Sequence, residues 1–412
     1  MTPAASSKET AVFPDNFTWG TATAAHQIEG GNWNNDWWRW EHAPGTPCKE
    51  PSGDACDSFH LYEEDAELVL TLGFDNYRFS VEWSRIEPER DEFSQAALDH
   101  YKRVCEALRE RGITPVVTFH HFTTPRWMAD AGGWESAEIA ERFGKFCGVV
   151  ARELDGLMGR ACTINEPNIV STCGYLLGVF PPGRSNDVEA RRVVNGNMVK
   201  AHRTAVAAIR EGAPGVPVGL TLSMSDYQAV EGAFERMQRV RRRMEDEFLE
   251  GTEGDDFIGV QTYSRTRIGP TGMLGPEDGV PVLPMGYEYW PQGLEATLRR
   301  AWSVTRGKIP LLVTENGIGT DDDSQRIRFV HAALQGVLRA LADGIDVRGY
   351  TYWSLLDNFE WAFGYQHHFG LTSVDLRTFA RTPKPSAHWL GRIAQGNALI
   401  PVPEDAATGV TA

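Results

Sequence analysis

Short apolar runs alternate with longer amphipathic stretches along nearly the whole chain, a rhythm that predicts parallel strands, each followed by a covering helix. Eight runs read as strands: Thr18–Thr23, Asn76–Ser80, Thr114–Phe119, Ala161–Asn165, Val216–Leu222, Phe257–Thr262, Leu311–Thr314 and Val347–Trp353. Between them Phe59–Leu72, Gln95–Arg111, Ser136–Leu154, Asn195–Glu211, Ala233–Leu249, Trp290–Arg306 and Ser324–Asp343 carry one apolar face, as a helix lying on a sheet does. Gly73, Gly112, Gly212, Gly307 and Gly344 stand at the ends of five of these stretches, where a left-handed cap favours glycine.

No Pro/Gly/Ser-rich linker interrupts the alternation. Eight strands with seven intervening helices therefore predict the α/β class and one (β/α)8 TIM barrel over residues 13–400, with flexible segments at 1–12 and 401–412. The length of 412 residues suits such a barrel, and 42% hydrophobic with 23% charged residues suits a sizeable core. The net charge of −16, from 40 basic and 56 acidic residues, opposes nucleic acid and anionic membranes as partners. The basic run Arg239–Arg243 is interleaved with acids and reads as a solvated helix face. The first residues lack a basic start followed by an apolar core, and no run approaches the ~18 apolar residues of a membrane span, so a cytoplasmic location is expected. Six scattered cysteines lack zinc-type spacing and read as free thiols, Cys48 and Cys56 being near enough to bridge under oxidising conditions.

In a barrel of this kind the chemistry sits at the carboxyl ends of the strands. Glu166 and Glu315 each close an apolar run there, 149 positions apart (315 − 166). Around them fall Gln27 after strand one, Arg78 in strand two, His120 and His121 after strand three, and Asn165 on strand four. Gln261 and Tyr263 stand at the end of strand six, Trp353 ends strand eight, and Glu360 and Trp361 follow it. Two carboxylates across a cleft are what hydrolysis of an acetal requires, one protonating the leaving oxygen and the other meeting the developing positive charge. The two need different pKa values: an arginine beside one keeps it ionised, while burial and the neighbouring charge raise the other. Arg78 is the candidate for the first effect. His121, Asn165, Gln27 and Glu360 offer donors and acceptors for hydroxyls, and Trp353 and Trp361 offer flat apolar surfaces, which together suit a pyranose. Most of the 13 Trp residues are expected to fill gaps between helices and loops. No metal site and no cofactor are expected, because His26, His331, His367 and His368 lack a ligand-type arrangement.

These residues resemble the family 1 glycoside hydrolases, the β-glucosidase and β-galactosidase family. The resemblance runs from about Phe13 to Trp389. It is carried in order by the stretch Phe13–Gly30, by Asn76–Ile86, by Thr118-Phe-His-His121-Phe, by Thr163-Ile-Asn-Glu166-Pro, by Thr314-Glu315-Asn-Gly and by Trp353-Ser-Leu-Leu-Asp-Asn-Phe-Glu360-Trp361-Ala. It implies a retaining β-glycosidase acting on a small-molecule glycoside, with Glu166 as acid/base and Glu315 as nucleophile, the carboxyl groups ~5–5.5 Å apart. It further implies that Arg78 and Tyr263 contact the nucleophile, that Gln27, His121, Asn165, Glu360 and Trp361 bind the sugar, and that Trp353 lies under it. His120 is expected to be a packed histidine or one that supports the sugar ligands from behind. Transglycosylation is an alternative within the enzyme class, and a sugar-binding protein without turnover is one outside it. The oligomeric state is left open.

The chain departs from the family pattern at several points. Gln261-Thr262-Tyr263 stands where Asn-Tyr-Tyr is usual, Phe122 where Trp is common, and His368 where Arg is frequent. Gln261 keeps the amide but adds a methylene, which predicts re-aimed hydrogen bonds around the nucleophile or the sugar. Residues 223–256 are shorter than usual, which predicts a wider cleft entrance and a bulky partner group or disaccharide unit on the substrate. Glu360 would repel a phosphate, so a neutral sugar is expected.

Overall fold

The computed structural model describes residues 11–407 and closes eight parallel strands into one barrel. The strands are β1 (Thr18–Ala22), β2 (Asn76–Ser80), β3 (Thr114–His120), β4 (Arg160–Asn165), β5 (Val218–Ser223), β6 (Phe257–Gln261), β7 (Leu311–Glu315) and β8 (Val347–Trp353). They pair in sequence order, and β8 closes on β1. Every expected run forms one of them, with ends shifted by at most two residues. The cause is burial on both faces: β6 and β7 are buried at every position and read as apolar runs with little alternation, whereas β2, equally buried, alternates Asn76, Arg78 and Ser80 with the aromatic Tyr77 and Phe79.

Helices pack outside: α1 (Ser58–Leu72), α2 (Gln95–Glu110), α3 (Ile139–Glu153), α4 (Val188–Gly212), α5 (Phe234–Arg241), α6 (Gly293–Val304), α7 (Asp323–Ala342) and α8 (Pro385–Gly396). The last of these follows β8 and completes the eightfold pattern that the sequence reading left one helix short. Helix α4 starts seven residues earlier than expected (195 − 188), because the Asp187 carboxylate accepts from Ala190 N at 2.9 Å and caps it.

Four of the five glycines act as left-handed ends, with φ of 87° at Gly73, 74° at Gly112, 65° at Gly307 and 82° at Gly344. Gly212 does not. It lies inside α4, where a Cβ would stand 2.9 Å from Ala151 Cβ and 3.0 Å from Gly148 O, so its smallness lets α3 and α4 approach. The single helix expected over Ala233–Leu249 is broken: after α5 the chain widens into a π turn at Arg242–Asp246 before Glu247–Leu249. Ahead of it, Asp226–Ala229 pairs in parallel with Arg265–Ile268 as a separate two-stranded sheet. Both strands are short and polar, which hides them from an apolar-run reading.

The ends are fastened where they are described. Ala11 and Val12 pair with Leu399 and Ala398. In the segment 401–407, expected to be flexible, Pro401 O accepts from Trp389 Nε1 at 3.2 Å, Ala406 O accepts from Arg328 Nη1 at 2.6 Å, and Ala406 is buried. The remainder of the expected flexible ends, 1–10 and 408–412, lies outside the described residues. Among the described residues no helix is long and apolar enough to cross a membrane, and the cysteines are unpaired, Cys48 and Cys56 included.

Candidate active site

Strand geometry aims the two glutamates. The pairing register slips between Cys162 and Asn165 in β4 and again between Val313 and Glu315 in β7. Each irregularity turns the end of its strand out of the regular ladder, which re-aims the side chains there. Glu166 then leaves β4 in a left-handed conformation (φ 45°, ψ 58°), and Pro167 opens the helix Pro167–Tyr175 with its preset φ. Asn168 Nδ2 donates to Ser223 O at 2.7 Å and ties this helix to β5.

Behind Glu315, Asn316 staples three strand ends together. Its Nδ2 donates to Thr262 O at 2.6 Å, its Oδ1 accepts from Tyr350 OH at 2.8 Å, and its carbonyl accepts from Trp353 N at 3.0 Å. A Cβ on Gly317 would come 2.2 Å from Trp353 O, so only glycine permits that approach. The string Glu315-Asn-Gly is thus a structural clamp as well as a carrier of a carboxylate.

The pocket at this face has a volume of about 510 Å³. Its lining includes Glu166, Glu315, His121, Asn165, Tyr263, Trp353, Glu360 and Trp361. Arg78, Gln27 and Gln261 lie behind that lining, fully buried. Arg78 Nη1 donates to Glu315 Oε1 at 2.5 Å and Tyr263 OH donates to Oε2 at 2.5 Å, so both oxygens of Glu315 are engaged. Arg78 Nη2 donates to Asn165 Oδ1 at 2.6 Å, and its Nε to Thr118 Oγ1 at 3.1 Å. Asn165 Oδ1 also accepts from Gln261 Nε2 at 3.0 Å and Thr221 Oγ1 at 3.2 Å. Gln261 therefore spends its extra methylene reaching Asn165 across the barrel mouth, while its own Oε1 is buried without a protein partner. The Gln261 amide thus serves Asn165 behind the pocket and also lies close enough to Glu315 to pull its carboxyl downward.

Glu166 is held differently. It is buried, and its Oε1 has no hydrogen-bond partner. Burial, then the charge of Glu315, push its carboxyl well above the usual carboxylate range, against hydrogen bonding from Ser223 and the attraction of Arg78. Burial also raises Glu315, but there Arg78, Tyr263 and Gln261 all pull downward. The opposition is stronger at Glu315, so the two carboxyls are driven apart, with Glu166 pushed the further upward.

The other expected residues fall into supporting arrangements. Asn165 Nδ2 lies 3.1 Å from His121 Nε2, which makes that ring nitrogen the acceptor and leaves a free N–H at Nδ1. Burial, with Arg78 and His120 nearby, holds His121 neutral. His120 is a packing residue, edge-on to Trp134 with centroids 4.9 Å apart. Gln27 Nε2 donates to Phe359 O at 2.8 Å, Asn358 Oδ1 at 3.2 Å and Glu360 Oε2 at 3.4 Å, fixing the loop that bears Glu360 and Trp361, while Gln27 Oε1 stays unpartnered. Burial, with the charge of Glu315, raises the Glu360 carboxyl to about 8 despite Gln27.

Sequence reasoning missed Ser223, which ends β5 beside Glu166; its place at a strand end was the available signal. It also missed Met285 and Tyr287, which reach the pocket from the long connection after Arg265–Ile268 and carry no periodic signature.

The family model for glycosyl hydrolase family 1 matches residues 9–268 and 269–399. β-Glucosidase A of Thermotoga maritima is 31% identical over 94% of this chain and 98% of its own length. Thermostable β-glucosidase B of Thermobispora bispora is 34% identical over 94% and 91%. The crystal structure of β-glycosidase BGL167 superposes with a TM-score of 0.88 at 48% identity, covering 95% of this chain and 99% of that one. The chain belongs to glycosyl hydrolase family 1 and is a glycoside hydrolase.

Proposed function

We propose that this enzyme hydrolyses β-glucosides with retention of configuration, through a covalent glycosyl intermediate on Glu315, with Glu166 as the acid/base. The observation that carries the assignment is the contrast in partners. Both oxygens of Glu315 are engaged by Arg78 and Tyr263, whereas Glu166 keeps an oxygen unpartnered beside the same pocket.

In the first step Glu315 attacks the anomeric carbon while Glu166 gives its proton to the glycosidic oxygen, and the C–O bond to the leaving group breaks. The leaving group departs as an alcohol, and Glu166, now charged, takes a proton from water. That water attacks the anomeric carbon from the face vacated by the leaving group, releasing Glu315 and the sugar in its original configuration. Arg78 and Tyr263 hold Glu315 charged and oriented. Asn165, the His121 Nδ1–H and Glu360 supply polar contacts for sugar hydroxyls, and Trp353 and Trp361 supply the apolar surface. Gln27 and Gln261 act through Glu360 and Asn165. The six free thiols support the cytoplasm as the place of action.

Proton NMR of an aryl β-glucoside digest tests the reading: the β-anomer must form first and then mutarotate. Initial appearance of the α-anomer would overturn the double displacement.

A further inference from the structure

Two neighbouring residues of the short helix Ala25–Ile28, which follows β1, grip the loop after β8. Gln27 holds the Glu360 side of that loop through Phe359 O, Asn358 and Glu360. His26, also buried, faces the other residue of the loop that lines the pocket, Trp361. The two rings lie nearly parallel, 11° apart, with centroids at 5.8 Å.

Trp361 depends on such support. Its backbone lies in the left-handed region (φ 50°), which a bulky residue keeps only where its surroundings impose it. Its indole Nε1 has no hydrogen-bond partner among the described residues, so packing alone sets the plane of the ring. The nearest rings are Trp37 at 4.6 Å, Phe122 at 4.9 Å, His26 at 5.8 Å and His121 at 6.1 Å between centroids. Of these, His26 alone is fixed through both of its ring nitrogens.

The tautomer of His26 follows from its neighbours. Asn35 Oδ1 accepts from Trp38 N at 2.8 Å, so it is the amide nitrogen that faces His26 and donates to Nδ1 at 3.1 Å. Nε2 then carries the hydrogen and donates to Glu41 Oε2 at 3.3 Å. Glu41 is buried, and its other oxygen accepts from Ser52 Oγ at 2.6 Å and from Ser52 N at 3.1 Å. Two partners from the connection after β1 thus fix the plane of the imidazole, and the indole lies against that plane.

We propose that His26, oriented by Glu41 and Asn35, is a positioning residue for glycoside turnover: it sets the plane of Trp361 against the bound sugar. This rests on the β-glucoside reading, with Trp361 as a sugar contact, and adds to it a residue that touches no substrate.

The test is a double-mutant cycle on p-nitrophenyl β-glucoside, with a melting curve for every variant. His26→Phe keeps a ring beside Trp361 and removes both hydrogen bonds that orient it. It should lower kcat/KM about tenfold, mainly through KM, because a binding contact is misaligned while the carboxyls are untouched. Trp361→Phe removes the group through which His26 acts, so the double variant should fall no more than about twofold below Trp361→Phe alone. If His26→Phe does not fold, Glu41→Gln takes its place with the same expectations, since it leaves one acceptor oxygen for the donors from Ser52 and His26. Unchanged kcat/KM in the folded variant, a loss carried by kcat alone, or losses that multiply in the double variant would overturn the proposal while leaving the β-glucoside reading intact. Inactivity of the unaltered enzyme toward p-nitrophenyl β-glucoside would refute that reading, and the proposal with it.

Discussion

Glu166 and Glu315 close strands β4 and β7, are both buried, and meet one pocket, yet the chain surrounds them in opposite ways. Glu315 sits against an arginine that spans the mouth of the barrel and a tyrosine hydroxyl, with both oxygens engaged. Glu166 heads a helix, and one of its oxygens is unpartnered. The lesson is that burial alone raises both carboxyls and cannot assign roles. What separates them is the count of cationic and hydrogen-bonding partners on each, and that count is set by which neighbouring strands reach across.

If the contrast is correct, removing Glu315 has the largest effect. Glu315→Ala should lower kcat on an aryl β-glucoside by at least ~10⁴-fold, because the covalent route is lost. Steady-state kinetics with a melting curve checks that the loss is chemical.

Glu166→Gln should cost ~10²–10⁴-fold with poor leaving groups and much less with activated ones, since only the former need a proton. It should also erase the alkaline limb of the pH–rate profile. The sign follows from the raised pKa of Glu166: the acid is protonated and active below that value and loses its proton as pH climbs through it. An alkaline limb that survives in the variant would assign that limb to another group.

Tyr263→Phe removes one of the groups that lower the pKa of Glu315. The acidic limb should move to higher pH, because Glu315 then takes up a proton sooner as pH falls, and kcat should drop by ~10²-fold. Gln261→Asn is the mildest change: the shorter amide cannot reach Asn165 Oδ1, and the loss of one buried hydrogen bond, ~1 kcal/mol, should reduce kcat/KM about fivefold. A gain in activity would show that the extra methylene is a handicap rather than a support.

Most of the barrel was legible because a parallel strand covered on both faces is an apolar run, and the residue closing the run faces the active-site end. That is why position singled out Glu166, Glu315, Asn165 and Trp353 at the strand ends, while the roles expected of them came from the family resemblance. Arg78 and Gln261 were found too, but their partners were not: that Asn165 Oδ1 gathers donors from Arg78, Gln261 and Thr221 depends on strand register, which no local pattern encodes. The paired strands Asp226–Ala229 and Arg265–Ile268 were invisible for the reason that they are short, polar and stabilised by each other. Part of the pocket lining escaped as well, since Pro47, Val179 and Met285 come from three connections whose meeting only the folded chain reveals.

The assignment of the two glutamates is tested most directly by azide rescue of the two alanine variants. Azide added to Glu315→Ala should attack from the vacated nucleophile side and yield the α-glycosyl azide, with inverted configuration. Azide added to Glu166→Ala should capture the glycosyl enzyme and yield the β-glycosyl azide, with configuration retained. The two products exchanged between the variants would contradict the account.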